Sequence, residues 1–339
     1  MIFSYVFFDG DLQYNKITRS DIEKENDIIV RECGRKLPTN NKFLNFIFKV
    51  HTSDRLNDVV RLPLKRVWAN KYVGEISTSK RLAFVFSGAS LQLFDDMNLF
   101  GFLRKKYSNS KLVLMLRDRV EVCLKQLKNK SIDWLKDTFD VIYTINQYDV
   151  DNYGFRHINV MFSRYPVKDN PDINTSDIVF VGKKKDRTRT INSIYNKLTK
   201  LGIICDFTVY DDNPGEKVSD GIKIIHKYMD YEEMLQRSIK TKCILEITQQ
   251  DIASLSSRCL EAFCYNKKLI TDVKEVANSP FYNPDFIRII NSAEDIDPSF
   301  IVEDMDVNYH YDDYYSPTNL FRFMDNELCS LEELKREEQ

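Results

Sequence analysis

Residues 242–272 read KCILEITQQDIASLSSRCLEAFCYNKKLITD, and the order of segments within them decides the fold. Cys243 to Ile247 is a short apolar run with strand character. Ser256 to Tyr265 carries helical spacing, and Lys268 to Thr271 is a second strand-like run. A polar loop, Thr248 to Ser254, joins the first strand to the helix. Such a strand–loop–helix–strand unit predicts a parallel sheet, and open α/β sheets bind ligands at the carboxyl ends of their strands. On the predicted helix, Arg258 and Glu261 are three apart and share a face. A carboxylate so placed can accept two hydrogen bonds from a ribose diol, and an arginine beside it can hold a diphosphate through paired N–H groups. The same spacing also serves an ordinary exposed ion pair, so the pair by itself leaves both roles open.

The segments on either side repeat the alternation. Upstream, strands are predicted at 177–181, 203–210 and 222–225, with helices up to Leu201 and over 230–238. Gly182 closes the first of these strands and is followed by the basic turn Lys183–Arg189, net +4. Downstream come a short strand at 286–290 and a terminal helix or two from Ser316 to Glu338. Between them, residues 294–313 hold eight acidic side chains and no Lys or Arg, which reads as a solvated face rather than a metal site. In the first half, strands are predicted at 1–8, 27–30, 82–86, 112–116 and 140–144. Helices are expected at 57–68, 95–106 and 132–139, with Pro63 near an end or a kink of the first. Residues 146–172 lose this period, and a linker is placed near 165–174. The fold class is α/β, with two domains of similar size.

Composition sets the outer limits. With 339 residues, 43% of them hydrophobic, the chain can build two cores. Its formal net charge of −2 gives no global attraction to nucleic acid. Seven cysteines are scattered with no C-x-x-C pair, which fits a reducing compartment better than a disulfide framework. No run has the length of a membrane span, and the apolar start lacks the basic residues of a signal peptide. A cytoplasmic protein is expected.

Candidate site residues sit at predicted strand ends. The turn after Gly182 offers Lys183, Lys184 and Arg187 to a phosphate beside a helix N-terminus, or else forms a solvated basic loop. Thr248, Gln249, Ser256 and Ser257 lie in the loop that leads to Arg258 and Glu261. In the first half, Ser87-Gly88 and Arg117-Asp118-Arg119 end strands. Asp118 can serve as a general base, or pair with its flanking arginines. His157 is a second catalytic candidate, with a purely structural role as its alternative. No cluster has metal-ligand spacing, and neither a dinucleotide fingerprint nor a P-loop is present.

Four pieces together resemble bacterial GT-B glycosyltransferases that build cell-surface polysaccharides. They are Phe180 to Arg187 (FVGKKKDR), Tyr231 to Leu235 (YEEML), Gln249 through the Arg258-to-Ala262 segment (RCLEA), and Lys267 to Thr271 (KKLIT). The first domain shares only an outline with that family, through Tyr143 to Gly154 (YTINQYDVDNYG). The resemblance implies two Rossmann-like domains facing each other across a cleft: 1–165 on the acceptor side, 166–315 for the donor, and 316–339 returning to brace the first. It implies a nucleotide-diphosphate sugar as co-substrate, a UDP-sugar foremost, with no metal and no other cofactor. Glu261 would hold the ribose, while Arg258 and the 182–187 turn would hold the diphosphate; Ser87, Gly88, Arg117 and Arg119 would face the acceptor. That acceptor would be a glycan or a lipid-linked saccharide, not nucleic acid, and peripheral contact with the inner membrane face stays open, with Phe100 to Lys106 as its candidate patch. One departure stands out. Many members carry two glutamates eight apart, and the position eight before Glu261 is Ala253. A GT-B-fold nucleotide-sugar epimerase and a non-catalytic nucleotide-sugar-binding protein remain the alternatives.

Overall fold

The structure is a computed structural model; it describes residues 1–60, 62–211, 216–248 and 255–337, and for 54, 58, 185, 332 and 334–337 the backbone alone. The chain forms two units, Met1–Met161 with Ser316–Gln339, and Phe162–Tyr315.

Unit 1 is built on β1 (Phe3–Gly10), β2 (Ile28–Cys33), β3 (Arg81–Phe86), β4 (Lys111–Leu116), β5 (Val141–Thr144) and β6 (Arg156–His157). All pairs are parallel, in the order β2-β1-β3-β4-β5-β6. The central strands are near-continuous apolar runs (SYVFF, LAFVF, LVLML) because helices cover both faces of a parallel sheet. On one face Phe8 stacks on Phe86 at 4.8 Å, and Phe94, Phe100 and Phe139 pack edge-on around them. On the other lies the C-terminal helix Pro317–Glu337, with Phe321 edge-on to Tyr5 and Phe7. Its buried Asp325 accepts hydrogen bonds from the Phe3 backbone N–H at 2.9 Å and the Tyr5 hydroxyl at 3.0 Å, which fixes that helix to β1.

Unit 2 carries β7 (Ser176–Lys183), β8 (Cys205–Tyr210), β9 (Lys223–Ile225), β10 (Thr241–Glu246), β11 (Lys268–Thr271) and β12 (Ile287–Ile289). Its order is β12-β11-β10-β7-β8-β9, again all parallel. The amphipathic helix Thr188–Lys200 buries Ile191, Ile194 and Leu198 against the sheet. The helix Ser257–Tyr265 starts on a Ser256 cap and stops at Asn266, which takes the left-handed conformation (φ 52°). In each unit the strand order reverses once, between β1 and β3 and between β7 and β10. Ligands bind at such switch points in doubly wound sheets.

Several local expectations are corrected. The helix expected over 57–68 is two short pieces, Asp54–Val59 and a 3-10 turn Lys65–Trp68. Pro63 and the left-handed Leu64 (φ 61°) separate them. The helix expected over 95–106 begins earlier and breaks at Asn98 (φ 51°) into Leu91–Asp96 and Leu99–Lys106. Phe100 and Leu103 of the latter are buried, so it is a core helix with a basic end and not a surface patch. Two short helices, Val120–Lys125 and Gln147–Tyr153, had no visible period in the sequence.

Candidate active site

The site in unit 2 begins with Gly182. A Cβ there would stand 2.6 Å from Nη2 of Arg187 and 3.1 Å from the Phe180 ring, so glycine makes room for the guanidinium. Arg187 lies on the Phe180 ring at 5.4 Å. Its Nε donates to the Lys183 carbonyl at 2.9 Å and its Nη1 to the Ile247 carbonyl. These bonds tie β7 to β10 across the switch point. Burial lowers the pKa of Arg187, opposed by the nearby carboxylates of Asp272 and Asp186. Across the gap, the Thr248 backbone N–H donates to both oxygens of Asp272 (2.8 and 3.0 Å), and the Thr248 hydroxyl adds a third bond at 2.9 Å.

These groups border a cleft of about 180 Å³ lined by Asp186, Arg187, Thr190, Ile247, Thr248, Asp272, Ile290, Asn291 and Ser292. It opens at the carboxyl ends of β7, β10, β11 and β12, and Thr190 brings the first turn of the helix Thr188–Lys200 to its wall. A guanidinium, a helix start and small hydroxyls suit an anion. A larger cavity of about 300 Å³ lies in unit 1 at the amino ends of β4, β5 and β6. That is the wrong edge of a doubly wound sheet for chemistry.

The other predicted donor residues divide. Lys183 lies over the rings of Tyr210 (5.8 Å) and Tyr228 (5.2 Å), which stack on each other at 4.2 Å. Lys184 is buried and paired with Asp211 at 3.0 Å, so its charge is already neutralised by the protein. Ser256 caps the helix by accepting from the Arg258 N–H, and Ser257 opens it half-buried. Gln249 lies outside the described residues. Arg258 and Glu261 do share a helix face, but it is the inner one. Glu261 is fully buried and accepts from the Tyr231 hydroxyl at 2.9 Å, the Ser238 hydroxyl at 2.7 Å and Nη1 of Arg258. Its oxygens are engaged by the protein, which corrects the expectation that it offers both to a ribose. Burial works against the Arg258 cation, and the pull of Glu261 and Tyr231 outweighs it, so its pKa is raised.

Sequence reasoning missed Asp272 and Glu246. Asp272 directly follows the last residue of β11, and a strand-end rule would have found it. Glu246 is a carboxylate inside the apolar run of β10. It accepts from Cys259 Sγ at 3.1 Å and the Thr271 hydroxyl at 2.9 Å. Burial raises its pKa against those hydrogen bonds.

In unit 1 the arginines flanking Asp118 are both paired elsewhere. Arg117 forms an ion pair with buried Asp9 at 3.1 Å, and Arg119 pairs with Glu121 at 3.2 Å while lying over Tyr148. Asp118 stands exposed at the end of β4 with no ion pair among the described residues, and desolvation by the surrounding chain raises its pKa. Ser87 and Gly88 form the turn after β3, where the Ser87 N–H donates to the Phe8 carbonyl at 3.0 Å and Gly88 needs its positive φ of 79°. His157 is exposed on the edge strand β6, two strands beyond β4. Asp9 also accepts from buried Arg19 at 2.8 Å, a pair with no signature in the residue pattern. Among the described residues there is no cluster able to hold a metal ion, and no helix is long and apolar enough to cross a membrane.

No protein-family model matches the chain, and no curated protein matches it in sequence. Solved structures match it in fold. An alpha-glucosyltransferase in complex with UDP-glucose and DNA containing an abasic site aligns at a TM-score of 0.56 and 11% identity, covering 96% of this chain and 98% of that one. An alpha-glucosyltransferase with UDP and a 13-mer DNA containing a HMU base gives 0.46 at 12% identity, over 79% of both chains. A spinosyn rhamnosyltransferase complexed with spinosyn aglycone gives 0.40 at 8% identity, over 88% and 89%. The α/β class with two Rossmann-like units is the one observed, and the first of these structures shares the fold over nearly the whole chain.

Proposed function

We propose that the chain is a glycosyltransferase that moves a sugar from a nucleotide-diphosphate donor to a hydroxyl acceptor. The observation that carries this reading is the cleft at the β7/β10 switch point, with Arg187 held over Gly182 and facing Thr248 and Asp272. The N–H groups of Arg187 that are not committed to backbone carbonyls would bind the diphosphate and stabilise it as it leaves. The start of the helix Thr188–Lys200 adds its partial positive charge, so the step needs no metal in principle. Lys183 and the exposed Tyr228 extend the donor surface along the same strand ends. Arg258 and Glu261 then act inside unit 2, where their pairing with Tyr231 and Ser238 ties the helix Ser257–Tyr265 to the helix Tyr231–Ile239.

Asp118 is the favoured base for the acceptor hydroxyl, because it stands exposed past the carboxyl end of β4 and its carboxyl makes no ion pair among the described residues; desolvation raises its pKa. His157, exposed on an edge strand, is the second choice. A UDP-sugar is the first donor to try, since two of the fold neighbours were solved with UDP or UDP-glucose. A glycan or lipid-linked saccharide of surface polysaccharide synthesis is the proposed acceptor, inside a bacterial cell. The same neighbours were solved with DNA, so DNA belongs in the test as a competing acceptor.

The test is release of nucleoside diphosphate from a panel of UDP-sugars in EDTA, with oligosaccharide, lipid-linked saccharide and DNA supplied separately. The expected result is acceptor-dependent release that falls roughly 100-fold or more in Arg187→Ala. Interconversion of free nucleotide sugar without an acceptor would replace this reading with the epimerase. Binding without any turnover would replace it with a non-catalytic role, and transfer to DNA alone would overturn the proposed acceptor.

A further inference from the structure

Residues 43–67 hold nine of the 22 exposed large apolar side chains among the described residues, although they are a small fraction of the chain. The helix Lys42–His51 shows why. Leu44 and Phe48 face the core, as an amphipathic helix requires. Yet Phe43, Phe46, Ile47 and Val50, at i, i+3, i+4 and i+7, form a second apolar stripe on the outside. Phe43 is 72% exposed and Phe46 64%. The stripe does not end with the helix. Val59 (84%) and Leu64 (75%) continue it on the following segment.

Hydrogen bonds hold these pieces together. His51 Nε2 donates to the Pro63 carbonyl at 2.6 Å while its Nδ1 accepts from the Trp68 indole at 2.7 Å. Asn57 donates to the His51 carbonyl at 3.1 Å. The exposed apolar side chains thus sit on a folded surface, and such clusters mark interaction sites.

Its charge says what covers it. Residues 35–71 carry nine Lys and Arg against two Asp, a net of +7 in a chain whose total is −2. At 3.6 residues per turn, Lys42 and Lys49 fall together along one flank of the apolar stripe. Lys42, Lys49, Arg55 and Arg66 are exposed and form no ion pair among the described residues. Aliphatic and phenyl side chains with a cationic border match the acyl–headgroup boundary of an anionic bilayer. A nucleic acid could stack on Phe43 and Phe46, but the aliphatic side chains of Ile47, Val50, Leu56, Val59, Val60, Leu64 and Val67 make up most of the patch and offer neither hydrogen bonds nor a stacking face. We infer that this face of unit 1 docks peripherally on an anionic lipid surface. The inference stands apart from the donor cleft and from the reaction proposed for it.

The experiment is co-sedimentation of the full chain with vesicles of phosphatidylcholine alone and with vesicles that also contain phosphatidylglycerol. The variants are Phe43→Ser/Phe46→Ser and Lys42→Glu/Lys49→Glu, whose side chains are outside the core. The wild type is expected in the pellet only with phosphatidylglycerol. Each lysine near such a surface is worth about fivefold in partitioning, so the charge variant should lose at least roughly tenfold, and added salt should do the same to the wild type. The serine variant should lose at least as much, with its melting temperature unchanged. Several outcomes overturn the inference: a wild type that stays in the supernatant, binding that neither variant weakens, a dimer in solution that the serine variant dissociates in place of vesicle binding, or retention on DNA that needs the lysines and not the phenylalanines.

Discussion

Replacing Glu261 by alanine tests whether the Arg258–Glu261 pair is internal architecture. Glu261 is fully buried, and its carboxylate accepts from Arg258, Tyr231 and Ser238. In Glu261→Ala the Arg258 guanidinium loses its ion-pair partner, and two hydroxyls lose their acceptor. Removing one partner of a buried ion pair costs about 3–5 kcal/mol. For a unit of about 150 residues, 1 kcal/mol moves the midpoint by about 2–4 °C, so the transition of unit 2 should fall by about 6–20 °C. Glu261→Gln keeps one oxygen to accept from Tyr231 or Ser238 and loses only the charge, so it should fall between alanine and wild type. The assay is thermal unfolding followed by circular dichroism, without nucleotide. A Glu261→Ala midpoint within about 2 °C of wild type, combined with lost nucleotide binding, would refute this reasoning and return Glu261 to the ribose.

Three further outcomes follow from the geometry. Gly182→Ala drives a Cβ to 2.6 Å from Arg187 and should cost about 1–3 kcal/mol in urea unfolding while weakening UDP binding at least roughly tenfold. Glu246→Gln addresses pH: because burial raises the folded pKa, the protonated carboxyl contributes stability that is present below the ordinary value of 4.5 and lost as pH rises through the folded value. The glutamine variant, uncharged throughout, should therefore unfold at a higher temperature than wild type near neutral pH, with the gain vanishing by about pH 4; a loss at neutral pH would contradict the assignment. Asp325→Ala removes the acceptor shared by the Phe3 N–H and the Tyr5 hydroxyl and should destabilise unit 1 by about 3 kcal/mol, read as a lower urea midpoint.

The sheets were legible because parallel strands buried on both faces are written as unbroken apolar runs, as in Arg81–Phe86 and Lys111–Leu116. Helices with a full amphipathic period, such as Thr188–Lys200, were equally plain. One-turn or two-turn helices such as Val120–Lys125 were not, because six residues hold too little periodicity. The helix Lys42–His51 was hidden for the opposite reason. It is apolar on its inner and outer faces alike, and the sequence shows only an apolar run.

At the site, residue type and strand-end position found Gly182, Arg187 and Thr248, which the structure gathers at one crevice. Spacing found that Arg258 and Glu261 share a face, and could not tell whether that face looks out or in. The difference comes from Tyr231 and Ser238, 30 and 23 residues earlier, whose hydroxyls reach Glu261 only in the folded chain. Lys184 illustrates the same limit, since its neutralising Asp211 is 27 residues away, at the end of a neighbouring strand.

The most direct measurement of the central claim is isothermal titration of the full chain with UDP in EDTA, for wild type and for Arg187→Ala. The account predicts saturable one-site binding by the wild type, and loss of at least roughly tenfold in affinity for the variant, whose fold is checked by circular dichroism. No binding of UDP or of any other nucleoside diphosphate by the wild type, or equal binding by a folded Arg187→Ala, would contradict it.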